Sequence, residues 1–397
     1  VMGFMEIQSP ANVKPFNPEQ VKTFRAPKYG GVTLSLLSMF VLGSMMVVWN
    51  KLPSDNSSMS LRVLCDEALR KPVEEGVSQF EKEMQVSVSL EFVQSQGKQD
   101  GYDLYIPVER NMAKEDDAKT PAVPIAFQSL VLATRKNYPD KLRNLDQVFE
   151  KNLSFAICRD SSSSGIALEE ALASNGRWTE VTSRVQTTFP SSLEAAVSLA
   201  SEKELDAIFI WDSIARQFDL QIHQLKELQN ISGSIQAIPG KDQVKLTQSL
   251  QLARFMAAPE KGQFYFAKHR FIGVNGDAWS ENPTLYVYCA NQSKGLMLEI
   301  FEKFEERERV SIDPHFLDQE KIPFTIGLIA QSKAKHSLPD LVFGSMGEEL
   351  PGKSGIYSEP FIQRGNQVPV YKCNLSRFPH TTRSFIEFLQ ATEEDKN

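Results

Sequence analysis

The chain has 397 residues, 41% of them hydrophobic and 23% charged, with a formal net charge of −7. This is the balance of a globular chain with room for two or three cores. The acidic charge, with no basic run interleaved with aromatics, excludes a nucleic-acid binder. His223, His269, His315, His336 and His380 are scattered, and none pairs with a cysteine at metal-ligand spacing. No GxSxG, HExxH or P-loop occurs, so the reading is not an enzyme, and no metal or cofactor is implied.

Residues 1–29, with Pro10, Pro15, Pro18 and Pro27, read as a poorly ordered tail. Gly30 to Trp49 is a run of 20 uncharged residues. As a helix it would reach roughly 30 Å, enough to cross a hydrocarbon core. Lys14, Lys22, Arg25 and Lys28 precede it, which predicts a single transmembrane anchor at 30–50 with the tail in the cytoplasm and the rest outside. A cleaved signal peptide fits less well, because 29 residues precede the run and no A-x-A site follows. Residues 51–60 are a short polar linker.

Strands and helices then alternate. Expected are a strand at 61–65, an amphipathic helix at 71–83 with Val73, Val77 and Phe80 inward, and strands at 86–92 and 103–107. Residues 109–121 are a solvated loop or helix, and the long apolar run 122–134 is a strand crossing between lobes. A second α/β unit follows: helix 145–150, strand 155–158, helix 166–175 capped by Gly176, strand 185–189, helix 193–202 and strand 207–211. A return strand at 235–238 and a helix at 244–257 close the module, with a last short element at 263–271. The rest reads as strand 285–289, helix 296–306, strand 310–316, helix 324–332, strands 340–343 and 368–371, and helix 381–389. Such alternation with short links predicts parallel or mixed sheets covered by helices. Cys65, Cys158 and Cys289 end apolar strands, which with Cys373 favours buried thiols over a disulfide framework.

The chain also repeats part of itself. Residues 61–93 align without a gap with 285–317, identical at 9 of 33 positions and alike in apolar pattern. Residues 235–260 align likewise with 368–393. Between these blocks the first copy spends residues 94–234 and the second only 318–367. The second copy therefore lacks a segment the size of a lobe.

In order and spacing these pieces resemble the type 2 periplasmic solute-binding proteins, and among them the molybdate-binding proteins of ABC importers. The resemblance covers about 61–275. It rests on FEKEMQVSVSLEF, DLYIPVE, LVLATRKNYPDKLRNLDQVF, LDAIFIWDSIA and FMAAPEKGQFYFAKHRF. It implies a two-lobed clamp at 61–280, with lobe 1 at about 61–130 plus 236–275 and lobe 2 at about 135–233, closing on two hinge strands. The predicted fold class is thus α/β: one transmembrane helix, a two-lobed binding module, and at 283–397 a one-lobe repeat.

The resemblance also implies a site of uncharged donors: hydroxyls, and backbone N–H groups at helix starts. Carried across position by position, it falls on Ala68, Ser95, Ser164 with Gly165 at a helix start, Ser192 and Trp211. A capped serine loop and a core aromatic are the structural alternatives for Ser164 and Trp211. Asp66 and Glu67 sit at the mouth of the expected cleft, where unpaired carboxylates would repel an anion and attract a cationic or zwitterionic solute. A solvated loop is their alternative. Two functions follow as expectations: a membrane-anchored, extracytoplasmic solute-binding protein with an ABC permease as partner and an oxyanion such as molybdate as ligand, or a ligand-free structural subunit of a membrane complex.

Overall fold

The computed structural model describes residues 60–93, 101–108, 121–201, 204–240, 242–332, 338–346, 355–358, 360–362 and 368–394, all within one compact unit, Met59–Asn397. The expected tail, the anchor at 30–50, nearly all of the linker, and Ser95 lie outside the described residues. No described helix is long and apolar enough to cross a membrane.

The module begins with β1 (Leu61–Asp66), whose alternate residues Leu61, Val63 and Cys65 enter the core. A 3-10 turn (Glu67–Leu69) leads into α1 (Arg70–Met84). Val73, Val77 and Phe80 recur at helical spacing and form its buried stripe. Gly76 on the same helix leaves room for the Met256 thioether, which would lie 2.6 Å from a Cβ at this position. Gln85, at φ 56°, ends the helix in the left-handed region. β2 (Val88–Val93) and β3 (Leu104–Ile106) both run parallel to β1.

β4 (Val123–Thr134) and β9 (Ser232–Pro239) join two halves of one nine-stranded sheet. They pair antiparallel over 123–129, with a register shift at Pro124, which has no N–H to give the ladder. Beyond that stretch, the end of β9 pairs with β3, while the end of β4 pairs with β7 (Ala207–Trp211) and β8 (Gln221–His223). β7 is parallel to β5 (Phe155–Cys158), and β5 to β6 (Thr187–Phe189). Five helices belong to this second half: α2 (Leu145–Glu150), α3 (Ser163–Ser174), α4 (Trp178–Thr182), α5 (Ser192–Ser201) and α6 (Asp212–Gln217). α7 (Leu246–Ala257) and α8 (Gly262–Lys268) return to pack on α1. The sequence reading omits α4, α6 and β8, which are too short to show a period.

The second sheet runs β11 (Ser311–Leu317), β10 (Thr284–Ala290), β12 (Leu341–Phe343), β14 (Pro369–Lys372), β13 (Phe361–Ile362). β10 is parallel to β11 and β12, and β12 is antiparallel to β14. These are the directions of β1 with β2 and β3, and of β3 with β9. α9 (Lys294–Glu308) and α11 (Pro379–Glu394) cover one face, with Leu285, Val287 and Cys289 beneath them. Tyr288 and Ala290 point to the other face, under α10 (Lys321–Gln331). All four cysteines are buried free thiols. Burial raises the Cys65 thiol pKa and pushes Cys289 to about 12, so neither is poised as a nucleophile.

Candidate functional site

The C-terminal ends of β5 and β7 and the starts of α3 and α5 come together in the second half of the module. Ser162 precedes α3, and its Oγ accepts the Gly165 N–H at 3.0 Å. The same hydroxyl donates to the Arg159 carbonyl at 2.9 Å. Its proton is thereby committed, so at the 3.2 Å contact between the two hydroxyls Ser164 is the donor and Ser162 the acceptor. Ser192 donates to Ser164 at 2.9 Å. The result is a chain of hydrogen bonds from Ser192 through Ser164 and Ser162 to a backbone carbonyl. Ser192 and Ser164 are buried at 0% and 1% exposure, while Ser163 is half-buried. Gly165 is required here, since a Cβ would stand 1.9 Å from the Arg159 carbonyl oxygen.

Trp211 ends β7 with 1% exposure, and its indole N–H donates to Ser163 Oγ at 3.1 Å. Ser163 accepts that bond and keeps its own proton to give. The more accessible hydroxyl is thus that of Ser163, one residue from the position that the resemblance selects. The sequence signal for it is weak, because four consecutive serines look alike before the turn is built.

The other expected residues lie at the end of β1. Asp66 caps the 3-10 turn, its Oδ1 accepting the Ala68 N–H at 3.0 Å. Ala68 is half-buried and offers no hydroxyl. Glu67 is clamped by Arg70, whose Nε and Nη2 each lie 2.6 Å from a carboxylate oxygen. The Arg70 hydrogen bonds hold the Glu67 carboxyl below its ordinary pKa. The Arg70 guanidinium also lies 4.0 Å from the centre of the Phe92 ring. Arg70 therefore offsets the repulsion of an anion expected from Glu67. α6 packs against this turn and against β4 and β7, so the two groups of residues approach one helix from opposite halves.

Two contacts fasten α6 to the crossing strand, and a third ties that strand to Val108. Asp212 accepts the Ser129 N–H at 3.0 Å, Ser213 donates to Gln128, and Gln128 donates to the Val108 carbonyl at 2.7 Å. His223 stands apart from the site. The Leu142 N–H donates to its Nδ1, so Nε2 carries the proton toward Thr134 Oγ1 at 2.9 Å, and burial lowers its pKa. Among the described residues no group of three His, Cys, Asp or Glu side chains could hold a metal ion.

The profile of a family described as bacterial extracellular solute-binding protein matches residues 61–269, more than half of the chain. The chain belongs to this family. No curated protein sequence matches it. Among solved structures, Peb3 from Campylobacter jejuni is similar at 11% identity and a TM-score of 0.43, over 54% of this chain and 100% of that one. The Azotobacter vinelandii periplasmic molybdate-binding protein is similar at 18% identity and a TM-score of 0.42, over 54% and 100%. An ABC-type phosphate transport receptor from Vibrio cholerae is similar at 10% identity and a TM-score of 0.35, over 54% and 100%. Membership in the extracellular solute-binding family places the module outside the cytoplasm and makes solute binding its class of activity. The family match ends at 269, before the second sheet begins.

Proposed function

We propose that this chain is a membrane-anchored, extracytoplasmic solute-binding protein of an ABC importer, and that it takes a small oxyanion between two lobes, about 61–130 with 236–275 and about 135–233, with β4 and β9 crossing between them. The observation that carries this reading is the Trp211–Ser163 bond at the start of α3, beside the hydrogen-bonded chain of Ser162, Ser164 and Ser192. Uncharged donors at a helix start suit a desolvated oxyanion, because they stabilise its charge without a buried counter-ion. The clamping of Glu67 by Arg70 supports the same reading. The residues at the end of β1 form the opposing wall. We also read 283–397 as a partial copy of the first lobe, supported by the shared strand directions.

Calorimetric titration of the full chain with molybdate, tungstate, sulfate and phosphate tests the proposal. Saturable heat with one of them is expected, and Ser163→Ala should weaken that binding roughly tenfold, the worth of one hydrogen bond to a charged group. Heat with none of the four would remove the oxyanion reading.

A second reading is a ligand-free subunit of a membrane assembly. It is favoured by the burial of Ser164 and Ser192, whose hydroxyls bond to each other. Under that reading all four titrations are flat, and the full chain co-purifies with other membrane proteins.

A further inference from the structure

Trp211 touches more than Ser163. Its six-membered ring lies over Gly233 of β9, where a Cβ would meet Cη2 at 2.6 Å, Cζ2 at 2.7 Å and Cζ3 at 3.1 Å. Gly233 is opposite Gln128 in the ladder, and two residues further along β4 Leu130 is opposite Trp211. This is where β4 passes from β9 to β7, so the indole is wedged at the crossing between the two halves of the sheet. One end of the side chain touches a crossing strand, and the other holds the first residue of α3.

We infer that Trp211 is a positioning residue that couples the crossing strand β9 to the donors at the start of α3. The inference rests on the reading of that helix start as the solute site. A shift of the second half relative to β9 must move the indole across Gly233, since a close-packed interior has no spare volume to absorb it. The indole N–H then carries the shift to Ser163 and to the turn whose Gly165 and Ile166 amides bond to Ser162. Conversely, an oxyanion that accepts the Ser163 proton polarises and tightens the Trp211 bond, which seats the ring on Gly233. Gly233 is needed at this position for its missing side chain, because any Cβ there strikes the ring.

Hydrogen exchange of the Gly165 and Ile166 amides in the full chain gives a readout independent of any ligand. Trp211→Phe keeps an aromatic ring but deletes the N–H donor and the distal ring atoms that meet Gly233. It should speed exchange at these two amides roughly tenfold, the loss of one hydrogen bond, without a comparable change in α7. Gly233→Ala should speed it further, by forcing the indole off the strand. Adding Trp211→Phe to Gly233→Ala should return exchange to the level of Trp211→Phe alone, because the atoms that clash are gone. If Gly233→Ala fails to fold while the double variant folds, the inference is supported in the same sense. Unchanged exchange in Trp211→Phe, or a double variant as perturbed as Gly233→Ala, overturns it. Flat titrations of the unsubstituted chain with the four oxyanions would remove the solute reading, while the exchange pattern still decides the coupling.

Discussion

The units 61–93 and 284–317 have the same plan with different charges. Each runs strand, 3-10 turn, 15-residue helix, strand. Glu81 of α1 accepts the Val88 N–H at 2.8 Å, and Glu305 of α9 accepts the Ile312 N–H at 2.6 Å. Asp103 accepts the Arg62 N–H at 2.7 Å, and Asp340 accepts the Tyr286 N–H at 2.8 Å. The two units differ where each meets the rest of the protein. The last residue of α1 is Met84, whereas the last residue of α9 is Glu308, buried at 3% exposure against Arg254 of the module. Asp103 has Lys245 at 3.0 Å, while the position aligned with Lys245 in the second unit is Phe378. Two stretches can thus share a backbone plan while their charged positions differ, and in the second one such position, Glu308, docks onto Arg254 of the module.

The largest effect tests that docking. Arg254 donates to the Glu308 carbonyl at 2.5 Å and lies 3.6 Å from its carboxylate, which Arg307 and Ser384 also hold. Glu308→Ala leaves Arg254 buried with its carboxylate partner gone and should destabilise the chain by about 3–5 kcal/mol in urea unfolding. Replacing both residues with methionine should recover most of that loss, because a buried pair of similar apolar volume removes two desolvation penalties together. A single variant within about 1 kcal/mol of the parent would show that the two sheets do not depend on this contact.

The next effect separates the two aspartates. Asp103→Asn takes the carboxylate from the half-buried Lys245 ammonium, which is left with the Ser60 carbonyl at 3.0 Å, and should lose about 2–3 kcal/mol. Asp340→Asn should lose under about 1 kcal/mol, since an amide oxygen still accepts the Tyr286 N–H. Burial raises the Asp340 carboxyl above its ordinary pKa, against the opposing pull of its hydrogen bonds from Ser376 and the Tyr286 N–H. A raised folded pKa means that this group favours the fold while protonated. That contribution is complete below the ordinary carboxylate range and is lost as pH rises through the raised value. Asp340→Asn should therefore flatten the mildly acidic limb of the stability profile. Equal losses at both positions would contradict the assignment of Lys245 as the cause.

Much of this plan is legible in the chain. Leu61, Val63 and Cys65, and Leu285, Val287 and Cys289, alternate as half-buried strands must, and Val73, Val77 and Phe80 mark a helix by spacing. The expected boundaries fall within a few residues of those observed, and the thiols are buried as read. The site is less legible. Ser162, Ser163 and Ser164 are chemically equal in sequence, and only the turn assigns one to capping, one to Trp211 and one to the interior. Gly233 shows no local signal, because its requirement comes from a ring 22 positions earlier. Arg254 lies in the expected helix 244–257 and Glu308 just past the expected helix 296–306, and a charge at either place looks solvated until the two sheets are placed together.

The smallest effect returns to the ends of the two helices. Gln85 and Arg309 occupy the left-handed region at φ 56° and 53°, in each case with the N–H bonded to the carbonyl four residues back. Glycine has no Cβ to crowd the carbonyl in this conformation, and it is the usual residue past a helix end. It also gains freedom in the unfolded chain, which offsets part of the benefit. Gln85→Gly should therefore stabilise by about 0.5–1 kcal/mol. Arg309→Gly should gain less, because the Arg309 guanidinium reaches Gln243 of the module at 3.3 Å and the substitution forfeits that contact along with the strain. Thermal unfolding of the two variants side by side measures the gap. Equal gains would mean that the Arg309 side chain contributes nothing to the junction.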